Sequence, residues 1–284
     1  AIVIASGAAR DRRLAIPGAD LPGCHSSLEF IGWVNGHPEF ENQPMPLSAE
    51  TAVIIGNGNV ALDVIRLLLK SPDDLVETDI NPAALEGLRK SRIRDIHVIG
   101  RRGPAQAAFR PAELQEVAAL AECEIDVRPE DLNLNAASLE ELSDGDSAAM
   151  HQQIVDLFQD IANTPAGALP RRLTFRFLES PEAIEGHGHV ERIVLAKNRL
   201  TGPAGAQSSE PTGDTDTLNC GLIIQCIGHV GTALTGIPFD ETSGTIPTRE
   251  GRVISAGQPV PGLYAAGWIE RGATGLIGHN KRDA

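Results

Sequence analysis

Hydrophobic residues recur along the chain in two patterns. The first apolar run, within AIVIASGA at residues 1–8, reads as a buried strand over residues 1–6 closed by Gly7. LAIPGADLPG (14–23) carries the proline and glycine punctuation of a turn-rich connection. Residues 26–36 predict a short helix ending at Gly36, with Pro38 just beyond. In VIIGNGNVALDVIRLLLK (53–70) an apolar run meets two glycines and then apolar residues at helical spacing, so the segment reads as strand, tight turn and helix. Asp73 and Asp74 follow Ser71-Pro72 and read as loop. Residues 83–91 predict a second helix and DIHVIG (95–100) a second strand. Pro111 and Glu113 open a further helix through AELQEVAALAE, since proline suits a first helical turn. EIDVRP (124–129) predicts another strand, and the acidic SLEELSDGDSAAM a mobile segment. LTFRFLES (173–180) and HVERIVLAKNRL (189–200) predict neighbouring antiparallel strands. GPAGAQSSEPTGDTDT reads as loop by composition. GLIIQCIG (221–228) and PGLYAAGW (261–268) complete the set as buried strands. Strands alternating with helices imply an α/β fold with a parallel sheet, interrupted by an antiparallel excursion.

The glycine turn carries the first candidate chemistry. Gly56, Gly58 and Ala61 fit the GxGxxG/A pattern: a tight turn, a backbone that a pyrophosphate can approach, and a small residue for close helix–strand packing. The helix behind it offers free N–H groups and partial positive charge to phosphates. The usual NAD signal is a carboxylate at the end of the second strand. Here that strand ends in Gly100-Arg101-Arg102-Gly103. Two guanidiniums suit a 2′-phosphate and leave no acid for a free ribose hydroxyl, so NADP is expected over NAD.

Charge and composition narrow the partners. A formal net charge of −14 argues against nucleic acid. No apolar run reaches membrane-spanning length. Cys24, Cys123, Cys220 and Cys226 form no CxxC pair, which argues against a dithiol centre or zinc ribbon and reads as buried structural thiols in a reducing compartment. The histidines show no metal spacing, so no metal site is expected. The chain opens on AIVIASGA and closes on NKRDA straight after a glycine-rich turn, which reads as a fragment of a longer protein.

Together, GNGNVALDV, GRRGPAQAAF with AELQE, and GWIERGATGLIG resemble the adrenodoxin reductase and NADPH–ferredoxin reductase family of flavoproteins. IPGADLPG, FIGWVNGHPEF, PTGD and FDETSGTIP fit the same pattern. The resemblance implies two Rossmann-like dinucleotide-binding domains. Residues 7–231 would be an NADP domain inserted into a partly missing FAD domain of residues 1–6 and 232–284. It implies that Asn57, Gly58, Asn59 and Val60 contact the NADP phosphates, that Arg101 and Arg102 clamp the 2′-phosphate, and that Glu113 and Arg12 also contact the nucleotide. Trp268 and the backbone of Gly275, Leu276 and Ile277 would line the flavin. Asp63, placed in the first turn or so of the phosphate helix, and Glu116 are candidates for polar tuning of the nicotinamide site.

The implied activity is electron transfer from NADPH through FAD to a ferredoxin-type iron–sulfur protein, in the cytoplasm or the mitochondrial matrix. The absent CxxC and the tryptophan after Gly267 argue against thioredoxin reductase. One departure stands out: where vertebrate-type adrenodoxin reductases carry a basic docking cluster, this chain has SLEELSDGDSAAMHQQIVDLFQD, with almost no cations, so either docking uses another face or the partner differs. Two alternatives are an NADPH-oxidising subunit of a larger complex, like the glutamate synthase small subunit, and a flavin-free NADPH sensor. The motif at 267–277 argues against the sensor.

Overall fold

The computed structural model describes residues 1–120, 122–143, 147–164 and 167–275. The chain divides into two compact units, Ala1–Arg12 with Ile227–Ala284, and Arg13–Cys226. These divisions fall a few residues inside positions 7 and 231. The first unit opens with β1 (Ile2–Ile4) and β2 (Arg10–Asp11).

The larger unit is built on six parallel strands. Its elements run β3 (Cys24–Ser26), α1 (Ser27–Val34), β4 (Thr51–Ile55), α2 (Asn59–Leu69), α3 (Pro72–Leu75), α4 (Pro82–Arg89) and β5 (Asp95–Gly100). Then come α5 (Pro111–Ala118), β6 (Cys123–Val127), α6 (Ala136–Ser143), α7 (Ala148–Asn163), β7 (Arg171–Phe177), β8 (Glu179–Glu185), β9 (Arg192–Thr201), β10 (Ser208–Asn219) and β11 (Leu222–Gln225). The sheet order is β3-β11-β4-β5-β7-β6, with every pair parallel. Val53, Ile54, Ile96, Val98, Ile223 and Ile224 are buried in its middle strands, the near-continuous apolar reading of a sheet covered on both faces. Helix α2 buries Ala61, Leu62, Val64, Ile65, Leu68 and Leu69. Ser26 and Glu29 close a reciprocal capping box at the start of α1. Phe109, Phe158, Phe175 and Phe177 meet edge to face, with centroids 5.0 Å apart for Phe158–Phe175.

Four expectations about this unit need correction. SLEELSDGDSAAM is not a mobile segment: its described residues belong mostly to α6 and the start of α7. Met150, Ile154, Leu157, Phe158 and Ile161 recur at helical spacing and pack on the core, and that periodicity outweighs the acidic composition. LTFRF pairs with β5 and β6 in the parallel sheet, not with the strand at 192–201. The antiparallel partner of β9 is β8, which begins after Leu178 turns the chain at φ 55. Residues 208–217 are not loop: they form most of β10, an edge strand paired to β9 with a bulge between Pro211 and Thr215. Its side chains are mostly exposed, so backbone pairing chiefly holds it, and serine, threonine and proline are tolerated there. Asp73 and Asp74 lie in α3, whose start Ser71 caps through the Asp73 N–H.

The first unit closes with β12 (His229–Val230), β13 (Thr248–Arg249), β14 (Arg252–Ser255), β15 (Gln258–Ala265) and α8 (Trp268–Arg271). β12 pairs with β2, so Arg10 and Asp11 belong to this unit. β15 pairs parallel with β1 and antiparallel with β14. The opening strand is less buried than its sequence suggests: Ile2 and Val3 are 65% and 64% exposed, because among the described residues β1 is an edge strand with β15 as its one neighbour. Ile4, Ile246, Val253, Leu263, Ala265 and Ile269 form this unit's own core.

All four cysteines are buried and in no disulfide, and burial pushes the Cys123 and Cys220 thiols up to about 11 and about 12. These two stay protonated at neutral pH and act as small apolar side chains.

His97, on β5, has a more consequential burial. Its Nδ1 is buried with no hydrogen-bond partner among the described residues. Desolvation lowers its pKa, helped by Arg176 and Arg172 and opposed by Asp95 and Glu179. A histidine depressed in the folded state takes up protons on unfolding. Its contribution is therefore intact above its ordinary value and lost as pH falls below about 6.5. His151 shifts in the same direction, again chiefly through burial. The urea midpoint should fall between about pH 7.5 and about pH 5.5, and His97→Leu should flatten that fall. An unchanged pH slope in the variant would remove His97 as a source.

Candidate functional site

β4 and β5 run in register, Ile55 beside Ile99, so their C-terminal ends lie together. Gly56 extends the ladder by donating its N–H to Ile99 O at 2.9 Å. It then turns at φ 124, where an added Cβ would sit 2.2 Å from Cys226 O, so glycine is required. Asn57 folds over Gly100: a Cβ on Gly100 would lie 1.8 Å from Asn57 Nδ2. Asn57 O accepts the Ala108 N–H at 2.8 Å, and Asn59 Oδ1 accepts the Arg110 N–H at 3.0 Å. The turn is thus braced by the segment before α5.

Several features fit a phosphate-bearing nucleotide here. Gly58 starts α2 with no side-chain cap, which leaves first-turn N–H groups for a ligand. A Cβ on Gly58 would meet nothing within 4 Å, so the backbone is approachable. Asn57 Oδ1 is buried without a partner among the described residues. Arg101 and Arg102 follow Gly100 directly, exposed and half-buried respectively. Among the described residues neither guanidinium forms a salt bridge or side-chain hydrogen bond, although Arg102 is near enough to help burial lower the His151 pKa. Asn59 and Val60 form the first turn of α2, and Ala61, fully buried, sits where the helix closes on the strand.

The three acidic candidates share one cation that sequence reasoning missed. Arg66, on α2, pairs with Asp63, Glu113 and Glu116; the Glu113 contact is 3.1 Å. Burial acts to lower the Arg66 pKa, but Asp63 and the two glutamates outweigh it and raise it. Asp63 lies beyond the first turn of α2, so its partner is this guanidinium and not the helix dipole. The spacing of Asp63 and Arg66 was visible, but Arg66's link to α5 depends on packing between helices.

The remaining candidates lie in the other unit. Arg12 donates to Ser243 O at 3.4 Å and, through its backbone, to Gly228 O at 2.9 Å. Trp268 opens α8; its Nε1 donates to Thr274 O at 3.0 Å. Its indole stacks on His229 with centroids 6.3 Å apart, and His229 Nδ1 lies 2.8 Å from Asp11 Oδ1. Neither His229 nor Asp11 stood out in the sequence. Gly267, Gly272 and Gly275 have φ of 78°, 84° and 74°. Such side-chain-free backbone lets a planar ring approach main-chain groups, so this turn fits a flavin. Leu276 and Ile277 lie outside the described residues.

Comparison with known proteins finds relatives along the whole chain. The chain is 43% identical over 288 residues to NADPH-ferredoxin reductase FprA of Mycobacterium tuberculosis, covering 100% of the chain and 61% of that protein. It is 40% identical over 291 residues to the mitochondrial NADPH:adrenodoxin oxidoreductase of Bos taurus, covering 98% of the chain and 57% of that protein. The chain is homologous to these reductases along essentially its whole length. It spans about three-fifths of theirs. The structure of Mycobacterium tuberculosis FprA in complex with NADPH superposes with a TM-score of 0.90, over 100% of this chain and 61% of that one. Lactococcus lactis thioredoxin reductase, at 15% identity and a TM-score of 0.51, covers 99% of this chain and 61% of that one, and shares the fold alone. No protein-family model matches the chain. Like its homologues, this reductase relative is a mixed α/β protein with Rossmann-like architecture. Among its described residues no helix is long and apolar enough to cross a membrane.

Proposed function

We propose that this chain carries the NADP domain and part of the FAD domain of an NADPH-dependent reductase acting on a ferredoxin-type iron–sulfur protein. The observation that carries this reading is the pair Arg101–Arg102, free of salt bridges among the described residues and placed one step past β5 beside the uncapped Gly56–Gly58 turn. Identity of 43% to an NADPH-ferredoxin reductase supports it. Asn57, Gly58, Asn59 and Val60 then hold the pyrophosphate, and Arg101 and Arg102 hold the 2′-phosphate. Glu113 contacts the nucleotide from α5. Asp63 and Glu116 share Arg66 with it, so any polar tuning of the nicotinamide is exerted by the cluster as a whole.

Trp268 and the backbone of Gly275 line the flavin; Leu276 and Ile277, which the resemblance gives the same role, lie outside the described residues. When bound, FAD supplies the chemistry that takes a hydride from NADPH and passes its electrons singly to the acceptor. The protein's part is placement and electrostatics, and no acid–base triad is required. The Asp11–His229 pair fixes one face of the Trp268 indole. The acidic α6–α7 segment does not suit an acidic iron–sulfur partner, so either docking uses another face or the partner differs.

The test is an absorbance spectrum of the full-length protein before and after NADPH. A flavin band that bleaches on NADPH addition, and recovers when oxidised ferredoxin is added, is expected. A protein that binds NADPH but carries no flavin would replace this reading with the sensor.

A further inference from the structure

The carbonyls of Arg101 and Arg102 are tied to the antiparallel excursion. Asn198, on β9, is 6% exposed, and its Nδ2 donates to Arg101 O at 3.0 Å and to Ser180 Oγ at 2.7 Å. Leu178 donates its N–H to Arg102 O at 3.2 Å. The Asn198 N–H in turn donates to Leu178 O at 2.7 Å. Leu178 makes this possible by adopting φ 55, a left-handed conformation that costs a branched side chain energy. Strain held at one residue and a buried amide shared between a carbonyl and a hydroxyl both need a reason. The residues they fix carry free guanidiniums on a backbone that β5 no longer supports after Gly100.

We propose that Asn198 is a positioning residue for cofactor choice: through Arg101 O it holds the Arg101–Arg102 turn in the geometry that recognises the 2′-phosphate. This rests on the NADPH reading above. A bidentate clamp on phosphate gains from preorganisation, because each guanidinium frozen on binding costs side-chain entropy. A turn already fixed at both carbonyls leaves only the side chains to order. NADH lacks the 2′-phosphate and makes no use of the turn, so positioning should appear as discrimination and not as general affinity.

The experiment measures NADPH and NADH dissociation constants of the full-length protein by fluorescence titration, with Asn198→Ala, Ser180→Ala and the double variant Arg101→Ala/Arg102→Ala. Asn198→Ala should weaken NADPH binding about five- to tenfold, the scale of one hydrogen bond, and leave NADH within about twofold. Ser180→Ala removes the other acceptor of the same amide and should leave the NADPH-to-NADH ratio unchanged. Should Asn198→Ala fold poorly, Asn198→Asp keeps the volume, sets a carboxylate against Arg101 O and should lower the ratio further. Equal loss of both cofactors in the Asn198 variants would mean a merely structural asparagine and would overturn the proposal. If the double arginine variant leaves the ratio unchanged, the NADPH reading itself has failed. If it collapses the ratio while the Asn198 variants do not, only the positioning role has failed.

Discussion

Arg101→Ala combined with Arg102→Ala should weaken NADPH binding to the full-length protein by roughly a hundredfold or more, while NADH binding stays within about twofold. The magnitude comes from the contact chemistry. A hydrogen bond to a charged group is worth roughly 1.5–3 kcal/mol, and about 1.4 kcal/mol is tenfold in affinity. Each guanidinium alone should therefore account for about ten- to a hundredfold. The two act on one phosphate, so their effects need not add, and a hundredfold is the conservative sum.

Stability should be nearly unaffected. Neither side chain has a salt bridge or hydrogen-bond partner among the described residues, and their carbonyls keep their bonds to Asn198 and Leu178 in the variant. The melting temperature should move by no more than a degree or two, as for surface substitutions away from structural features (roughly ±0.5 kcal/mol). Equal loss of NADPH and NADH would remove the 2′-phosphate from the account.

What could be read from the sequence divides along a physical line. The β4–turn–α2 unit is local: Gly56, Gly58 and Ala61 have steric roles that hold wherever the unit packs. Arg101 and Arg102 were legible for the same reason, since the end of a strand fixes where its next two residues lie. Asn198 was not legible, because its target lies 97 positions away and the register of β9 decides the contact. Arg66 was passed over because its acids on α5 meet it only through helix packing. Two segments were misread from their composition. The apolar positions of α7 were present in AAMHQQIVDLFQDIAN, and the acidic stretch ahead of them hid them. β10 had no apolar period to find, since pairing with β9 holds it and its side chains face solvent.

Glu179→Ala should cost about 3–5 kcal/mol of stability, the largest loss expected from one side chain outside the apolar core. Glu179 begins β8 directly after Leu178 and is 1% exposed. Arg176 reaches it at 2.7 Å and Arg128 at 3.0 Å. Arg128 also binds Asp131 at 3.0 Å and donates to Phe177 O at 3.0 Å, while Asp131 Oδ2 accepts the Phe177 N–H at 3.1 Å. Arg176 also holds Asp216 on β10. Burial raises the Asp131 pKa despite Arg128, a sign of how poorly water reaches the cluster. Removing the glutamate takes away the carboxylate that both arginines share and leaves each with one acid, Arg128 with Asp131 and Arg176 with Asp216, beside a site that water reaches poorly, so the loss exceeds the net worth of the pairs. The exposed pair Arg92–Glu50, at 2.9 Å, sets the contrast: solvent screens it, and Arg92→Ala should cost at most about 1 kcal/mol. Each kcal/mol moves the melting temperature of a 150–250-residue domain by roughly 2–4 °C, so Glu179→Ala should lower it by roughly 6–20 °C. Glu179→Gln, which keeps an acceptor for one arginine, should lose less. A fall of under about 3 °C for Glu179→Ala would show that water enters the cluster, and that apolar packing alone holds the switch from the parallel sheet into the antiparallel excursion.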